Sequence, residues 1–300
     1  MPETIRTTRV EFRSGGIRCA AWLTMPPRRG RHPAVVLAHG FGATHEMMLP
    51  QYEHHFAAAG IATLAFDYRN IGASEGEPRQ HISLRTQRTD VHAALDFVKT
   101  LTNIDADRVA LWGTSLGGMN VLKVAAARTD LAAAVVQCPI VDGVAALRRI
   151  GIAPALRLAP HMAADALRVV ARRGRHYVPI VGPPGSSAMV TVPGAEEGWN
   201  STVPEGGHFD NRVAAADVLG LAVTSALRDA GRIAAPLLVC VCDRETLIDP
   251  DCVAMTARRA PRGMARHYDS DHFAIYHPPL VDRVLGDQTA FLKEHLDVDA

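Results

Sequence analysis

Three residues far apart in the chain have the types and settings that nucleophilic acyl chemistry requires. Ser115 lies in Gly113-Thr114-Ser115-Leu116-Gly117, a G-x-S-x-G pattern between the apolar run "RVALWG" (108–113) and the helical sequence "LGGMNVLKVAAA". In a strand–turn–helix setting the glycines let strand and helix approach closely. The serine then takes a strained conformation that lifts its hydroxyl above the sheet edge. The following helix directs free N–H groups and a positive dipole end at the same point. A serine hydroxyl is a weak nucleophile until a base takes its proton. His272, in "YDSDHFAIYHPP", falls between the last predicted strand and the final helix, in a loop that opens at the same carboxyl edge of the sheet. His277 precedes two prolines and reads as a helix-entry residue, and His267 falls within the strand.

The base needs an acid to orient it, in chain order nucleophile, acid, histidine. The sequence "DRETLIDP" after the run "PLLVCVC" offers Asp243, Glu245 and Asp249. Asp249 precedes Pro250 and reads as a helix cap. Glu245, midway through the loop, is favoured, with Asp243 as the alternative. Developing negative charge on an acyl oxygen needs N–H donors. The loop "HGFGATHE" (39–46) and the turn after Ser115 supply Phe41 and Leu116. His39 is expected to order that loop rather than to transfer protons. "HEMML" is no zinc-binding H-E-x-x-H, because position 49 is leucine, and no metal or organic cofactor is expected.

These residues need a sheet to hold them. "TRVEF" (8–12) and "IRCAAWLT" (17–24) flank Gly15-Gly16 as a β-hairpin. "PAVVLAHG" (33–40), "IATLAFDY" (61–68), "RVALWG", "AAAVVQC" (132–138) and "PLLVCVC" (236–242) are short apolar runs of the kind buried parallel strands show, with "ARHYD" (265–269) weaker. Helical spacing of Val91, Leu95, Val98 and Leu101 over 84–101, and of Val281, Val284, Leu285, Phe291 and Leu292 near the end, alternates with them. The expectation is an α/β fold, a doubly wound, mostly parallel sheet with helices on both faces. Residues 1–140 and 236–300 form its core. Residues 141–235 contain no comparable strand and read as a helical insertion, a lid, with helices over 145–173 and 211–228 and a proline–glycine hairpin over 179–193. Met189, Trp199 and His208 in the insertion are candidate pocket residues, although core packing is the commoner fate of the first two.

The 300 residues carry 32 Lys and Arg against 31 Asp and Glu, a formal net charge of +1. That balance gives no electrostatic reason to expect nucleic acid or an anionic membrane as partner. Cys19, Cys138, Cys240, Cys242 and Cys252 are odd in number and irregular in spacing, which is no disulfide framework and points to a reducing cytoplasm. Cys240 and Cys242, two apart in an apolar run, read as buried thiols on one face of a strand. The first residues lack a signal-peptide pattern and no apolar window is long enough to span a bilayer. The expected partner is a small acyl substrate; a homodimer is left open.

"LAHGFG", "AFDYRNIGASEGEPR", "LWGTSLGG", "VCDRETLIDP" and "SDHFAIY" together resemble the α/β-hydrolase superfamily over both halves of the core. More closely, the chain is similar to bacterial dienelactone-hydrolase-like and polyketide-transferase-like serine esterases, which often read "CDxDTxxP" and "GHFDIY". Glu245 stands where that pattern has aspartate, and Asp271 where it often has glycine. The resemblance implies a hydrolase of carboxylic esters or thioesters working through Ser115, His272 and Glu245. Asp67 and Arg69 are expected to fix their loop. An acyltransferase, lactonase or carbon–carbon hydrolase would use the same groups, and a catalytically silent binding protein is the rival from another class.

Overall fold

The computed structural model describes residues 4–298. The chain opens with β1 (Arg6–Ser14) and β2 (Ile17–Met25), antiparallel and closed by Gly15-Gly16, whose φ values of 55° and 85° are those a two-residue primed turn needs. Next come β3 (His32–Ala38), β4 (Ala62–Phe66), β5 (Ile104–Thr114) and β6 (Ala133–Gln137). The two-residue strands β7 (Tyr177–Val178) and β8 (Val213–Ala214) pair with each other apart from the main sheet, which β9 (Leu237–Cys242) and β10 (Gly263–Tyr268) complete. Its eight strands run in the order β1-β2-β4-β3-β5-β6-β9-β10, parallel from β4 onward.

Strands β3, β4, β6 and β9 are buried along their whole length, which is why each reads as a continuous apolar run. Alternate residues serve two cores. Val36 and Ala38 of β3 face the side packed by α2 (Leu84–Lys99), α3 (Leu116–Ala125) and α8 (Pro250–Arg259). Val35 and Leu37 face the side of α1 (Leu49–Ala58) and α9 (Leu280–His295). Strand β10, at the edge, is mostly exposed, so its apolar signal is weak.

Between β6 and β9 the chain builds α4 (Gly143–Ile150), α5 (Ile152–Val170), α6 (Ala195–Ser201) and α7 (Val218–Ala222). Three expectations change here. The helix expected over 145–173 is two helices, because Gly151 takes φ 83° and ψ 168° and turns the chain. The helix expected over 211–228 is only β8, a short 3-10 turn and α7. Tertiary pairing overrides the local preference: Tyr177 and Val178 pair with 213–214, and Ala226 N–H donates to the Val141 carbonyl. Segment 179–193 is no open hairpin either. Its one bridge, Val181 to Val190, is parallel, and Ile180, Val181 and Ala188 are buried.

The segment between β6 and β9 is tied to the loop before α2 by a satisfied ionic cluster. Asp165 of α5, fully buried, accepts from Arg175 at 2.6 Å and from the N–H groups of His176 and Ala216. Burial would raise its pKa, but Arg175 and those N–H groups hold it down at about 2. Arg175 also bonds Asp217, which accepts from the Ile82 N–H and pairs with His81, just before α2. Among the described residues no helix is long and apolar enough to cross a membrane, and no group of three His, Cys, Asp or Glu could hold a metal ion.

Candidate active site

Ser115 occupies the turn from β5 into α3 with φ 53° and ψ −119°, a conformation costing a non-glycine residue on the order of 1–3 kcal/mol. Its N–H donates to the Gln137 carbonyl at 3.0 Å, and its own carbonyl accepts from Ile140 at 3.0 Å, so the end of β6 and the loop that follows it hold the turn. The glycines around it answer to space. A Cβ on Gly113 would lie 2.6 Å from the Gly117 oxygen, and one on Gly117 would lie 2.2 Å from the Ala38 oxygen. Strand β5, helix α3 and strand β3 meet here backbone to backbone.

His272, in the loop after β10, places Nε2 3.1 Å from Ser115 Oγ. Its Nδ1 lies 2.7 Å from Glu245 Oε2. The other oxygen of Glu245 accepts from the N–H groups of Thr246 at 3.0 Å and Leu247 at 2.8 Å, which fixes the carboxylate plane. All three side chains are buried. Burial is the largest influence and disfavours the imidazolium, yet Glu245 and Cys138 together outweigh it and hold His272 well above the usual histidine range. Burial likewise works against the Glu245 carboxylate, and His272 with the two N–H groups keeps it below its ordinary value. Asp271 accepts from the N–H groups of Phe273 and Ala274, so the loop turns on a side-chain cap where the similar sequences often have glycine.

The other acids lie elsewhere. Asp243 pairs with His267 at 2.7 Å, both half exposed at the ends of β9 and β10. Asp249 caps α8, accepting from the Asp251 N–H at 3.0 Å. The Leu116 N–H is among the first four of α3, which no carbonyl within the helix can take, and the Phe41 N–H makes no backbone hydrogen bond among the described residues. His39 is buried and pushed below the usual histidine range by that burial, with Nδ1 2.9 Å from the Gly40 carbonyl. Asp67 accepts from His45 N–H and Ala73 N–H, joining two loops, and Arg69 pairs with the buried Asp90.

Over Ser115 and His272 opens a cavity of about 210 Å³ whose walls are nearly all apolar. Met189 and Trp199 line it. His208 does not: it is exposed in the loop between α6 and β8, and it lines neither this cavity nor its neighbours. The sequence reading missed most of the wall. Gly143, Ala146, Leu147 and Ile150 of α4 line it, as do Pro154, Ala155, Leu158 and Met162 of α5. Their spacing was visible as one apolar face per helix. A smaller cleft of about 50 Å³ reaches Ser115 and His272 from another side, walled by Phe41, Met47, Thr202 and Phe273.

Residues 30–277 match the family model Hydrolase_4, serine aminopeptidase S33. The chain is a serine α/β-hydrolase. Within this family it is 36% identical over 289 residues to the quorum-quenching protein AidA of Acinetobacter baumannii, covering 96% of this hydrolase and 95% of AidA. The crystal structure of the α/β-hydrolase GrgF from Penicillium superposes with a TM-score of 0.83 at 26% identity, covering 97% and 99% of the two chains. A thiohydrolase, aneE of Aspergillus aculeatus, is 36% identical over 110 residues, 37% of this hydrolase and 35% of its own length.

Proposed function

We propose that this hydrolase cleaves a carboxylic ester or thioester through Ser115, His272 and Glu245. One observation carries the reading: an unbroken hydrogen-bond chain from Ser115 Oγ through both ring nitrogens of His272 to Glu245. Ser115 Oγ attacks the acyl carbon while Nε2 takes its proton. The N–H groups of Phe41 and Leu116 receive the charge that gathers on the acyl oxygen. The proton on Nε2 then passes to the departing alkoxide or thiolate, leaving an acyl-serine. Water, giving its proton to Nε2, attacks that ester, and the acid departs as Oγ is reprotonated. Glu245 stays a carboxylate throughout; it fixes the ring tautomer and stabilises the imidazolium.

The apolar cavity suits the acyl portion, and the small cleft suits the leaving group. Residues 141–235 would then act as the lid of the acyl pocket, because α4, α5 and α7 supply much of its wall. AidA spans nearly the whole chain and is a quorum-quenching protein, which makes small quorum signals the substrates to try first. The test pairs a fluorophosphonate probe with aryl esters of graded length. Wild type should label and turn over, whereas Ser115→Ala should do neither, with kcat lower by on the order of 10⁶ and its melting curve unchanged. Turnover by Ser115→Ala near the wild-type rate would end the proposal.

A further inference from the structure

A second cavity adjoins the apolar one. It measures about 330 Å³ and shares Ile150, Pro154, Met189 and Val190 with it as a common wall. Its chemistry differs. Arg149 and Arg157 line it, and no Asp or Glu does. Arg149 is already anchored, donating through Nη2 to the Glu245 carbonyl at 2.8 Å, and the rest of its planar fork makes no hydrogen bond among the described residues. Arg157, on α5, has its Nε shielded from solvent with no hydrogen-bond partner among the described residues. Two other shielded guanidinium groups of this chain are matched with carboxylates, Arg69 with Asp90 and Arg175 with Asp165 and Asp217. A shielded N–H donor without an acceptor is rare in a folded protein unless something outside the chain supplies one. A planar fork of donors fits the paired oxygens of a carboxylate or phosphate.

We propose that Arg157, assisted by Arg149, binds an anionic group, a carboxylate or phosphate, at the far end of the acyl chain that fills the apolar cavity. The inference rests on the reading that this cavity takes the acyl portion. It narrows the substrate class to amphipathic esters or thioesters whose acyl chain ends in an acid. Such a chain runs from Ser115 across apolar wall and emerges past Ile150 and Pro154 beside the two guanidinium groups.

The test compares p-nitrophenyl esters of six- to twelve-carbon acids with their counterparts ending in a carboxylate, reading the ratio of kcat/KM, anionic over neutral. Arg157→Gln should lower that ratio roughly tenfold to a hundredfold, the loss expected for a charge-assisted hydrogen bond, and Arg157→Lys should restore part of it. Arg172→Gln removes an exposed charge away from the cavity and should leave the ratio unchanged. A second arm compares acyl-coenzyme A with the same acyl group on neutral N-acetylcysteamine. Dependence on Arg157 in that arm alone would put the anion on the leaving group and overturn the acyl-side assignment, as would an unchanged ratio in both arms. A binding measurement separates this inference from the hydrolytic reading. Ser115→Ala titrated calorimetrically should prefer decanedioate to decanoate, and the preference should vanish when Arg157→Gln is added. That result supports the subsite even if no ester is turned over; equal affinity for the two acids overturns it.

Discussion

Replacing Glu245 by glutamine tests the orienting acid more sharply than deleting it, because the surroundings dictate how the amide must sit. Oε1 of Glu245 accepts from the N–H groups of Thr246 and Leu247, so the oxygen of the introduced amide must stay there. Its NH₂ is then left facing His272 Nδ1, where Oε2 stands 2.7 Å away in the native protein. Nδ1 must become the acceptor, which moves the ring proton to Nε2, the nitrogen 3.1 Å from Ser115 Oγ. A protonated Nε2 cannot take the serine proton. In a triad elsewhere the corresponding tautomer error costs about 10⁴ in kcat, or about 5 kcal/mol of transition-state stabilisation. The pH profile should move as well. In the native protein Glu245 and Cys138 hold the imidazole above its usual range against burial, and the proposed base is the neutral form, so the rate should rise with pH through an inflection above 6.5. With glutamine the Glu245 charge is gone while burial still disfavours the imidazolium, so the inflection of the residual rate should move to lower pH than in the native enzyme. Hydrolysis of an aryl ester across the acid-to-alkaline range reads both effects, with a thermal melt to show that the fold persists. A kcat within about tenfold of wild type, or an unmoved inflection, would refute the reasoning.

Gly117→Ala should destabilise by about 3 kcal/mol or more, because its Cβ would meet the backbone oxygens of Ala38 and His39 at 2.2 and 2.4 Å and neither can retreat cheaply; a melting curve lowered by only a degree or two would contradict this. Leu147→Trp fills the apolar cavity and should shift the preferred acyl chain toward shorter lengths without slowing fluorophosphonate labelling of Ser115, as a chain-length series run beside labelling kinetics would show. Asp243→Asn disturbs only a half-exposed pair with His267, so kcat/KM should stay within about twofold and stability within about 0.5 kcal/mol; a loss like that of Glu245→Gln would move the orienting role to Asp243.

The sheet was legible because burial on both faces leaves a plain trace: β3, β4, β6 and β9 have almost no polar residue to interrupt them. Ser115, His272 and Glu245 stand out as candidates because each follows a strand's carboxyl end in a fixed chain order. The choice of Glu245 over Asp243 used only position along a loop, whereas the structure separates them by burial and partner. The insertion was less legible for a definite reason. An apolar helix face such as Gly143, Ala146, Leu147 and Ile150 looks the same in sequence whether it covers a core or walls a cavity. Gly151 broke a helical pattern that continues on both sides of it, and pairing with Val141 ended another. His208 was chosen for its chemical type alone, and nothing in its exposed loop turns it toward Ser115.

The crowding around Ser115 separates two kinds of inheritance. Gly113 and Gly117 are demanded by backbone oxygens a Cβ would strike, and Gly118 by Pro139, whose Cβ would stand 2.7 Å from an added one. None of these demands refers to substrate. A descendant of this chain that lost all need for catalysis would still have to keep its glycines in order to fold. The residue free to drift would be Ser115, whose Oγ is committed to His272 alone among the described residues. In a lineage of such proteins the glycines of the turn therefore record descent, and the serine between them records use.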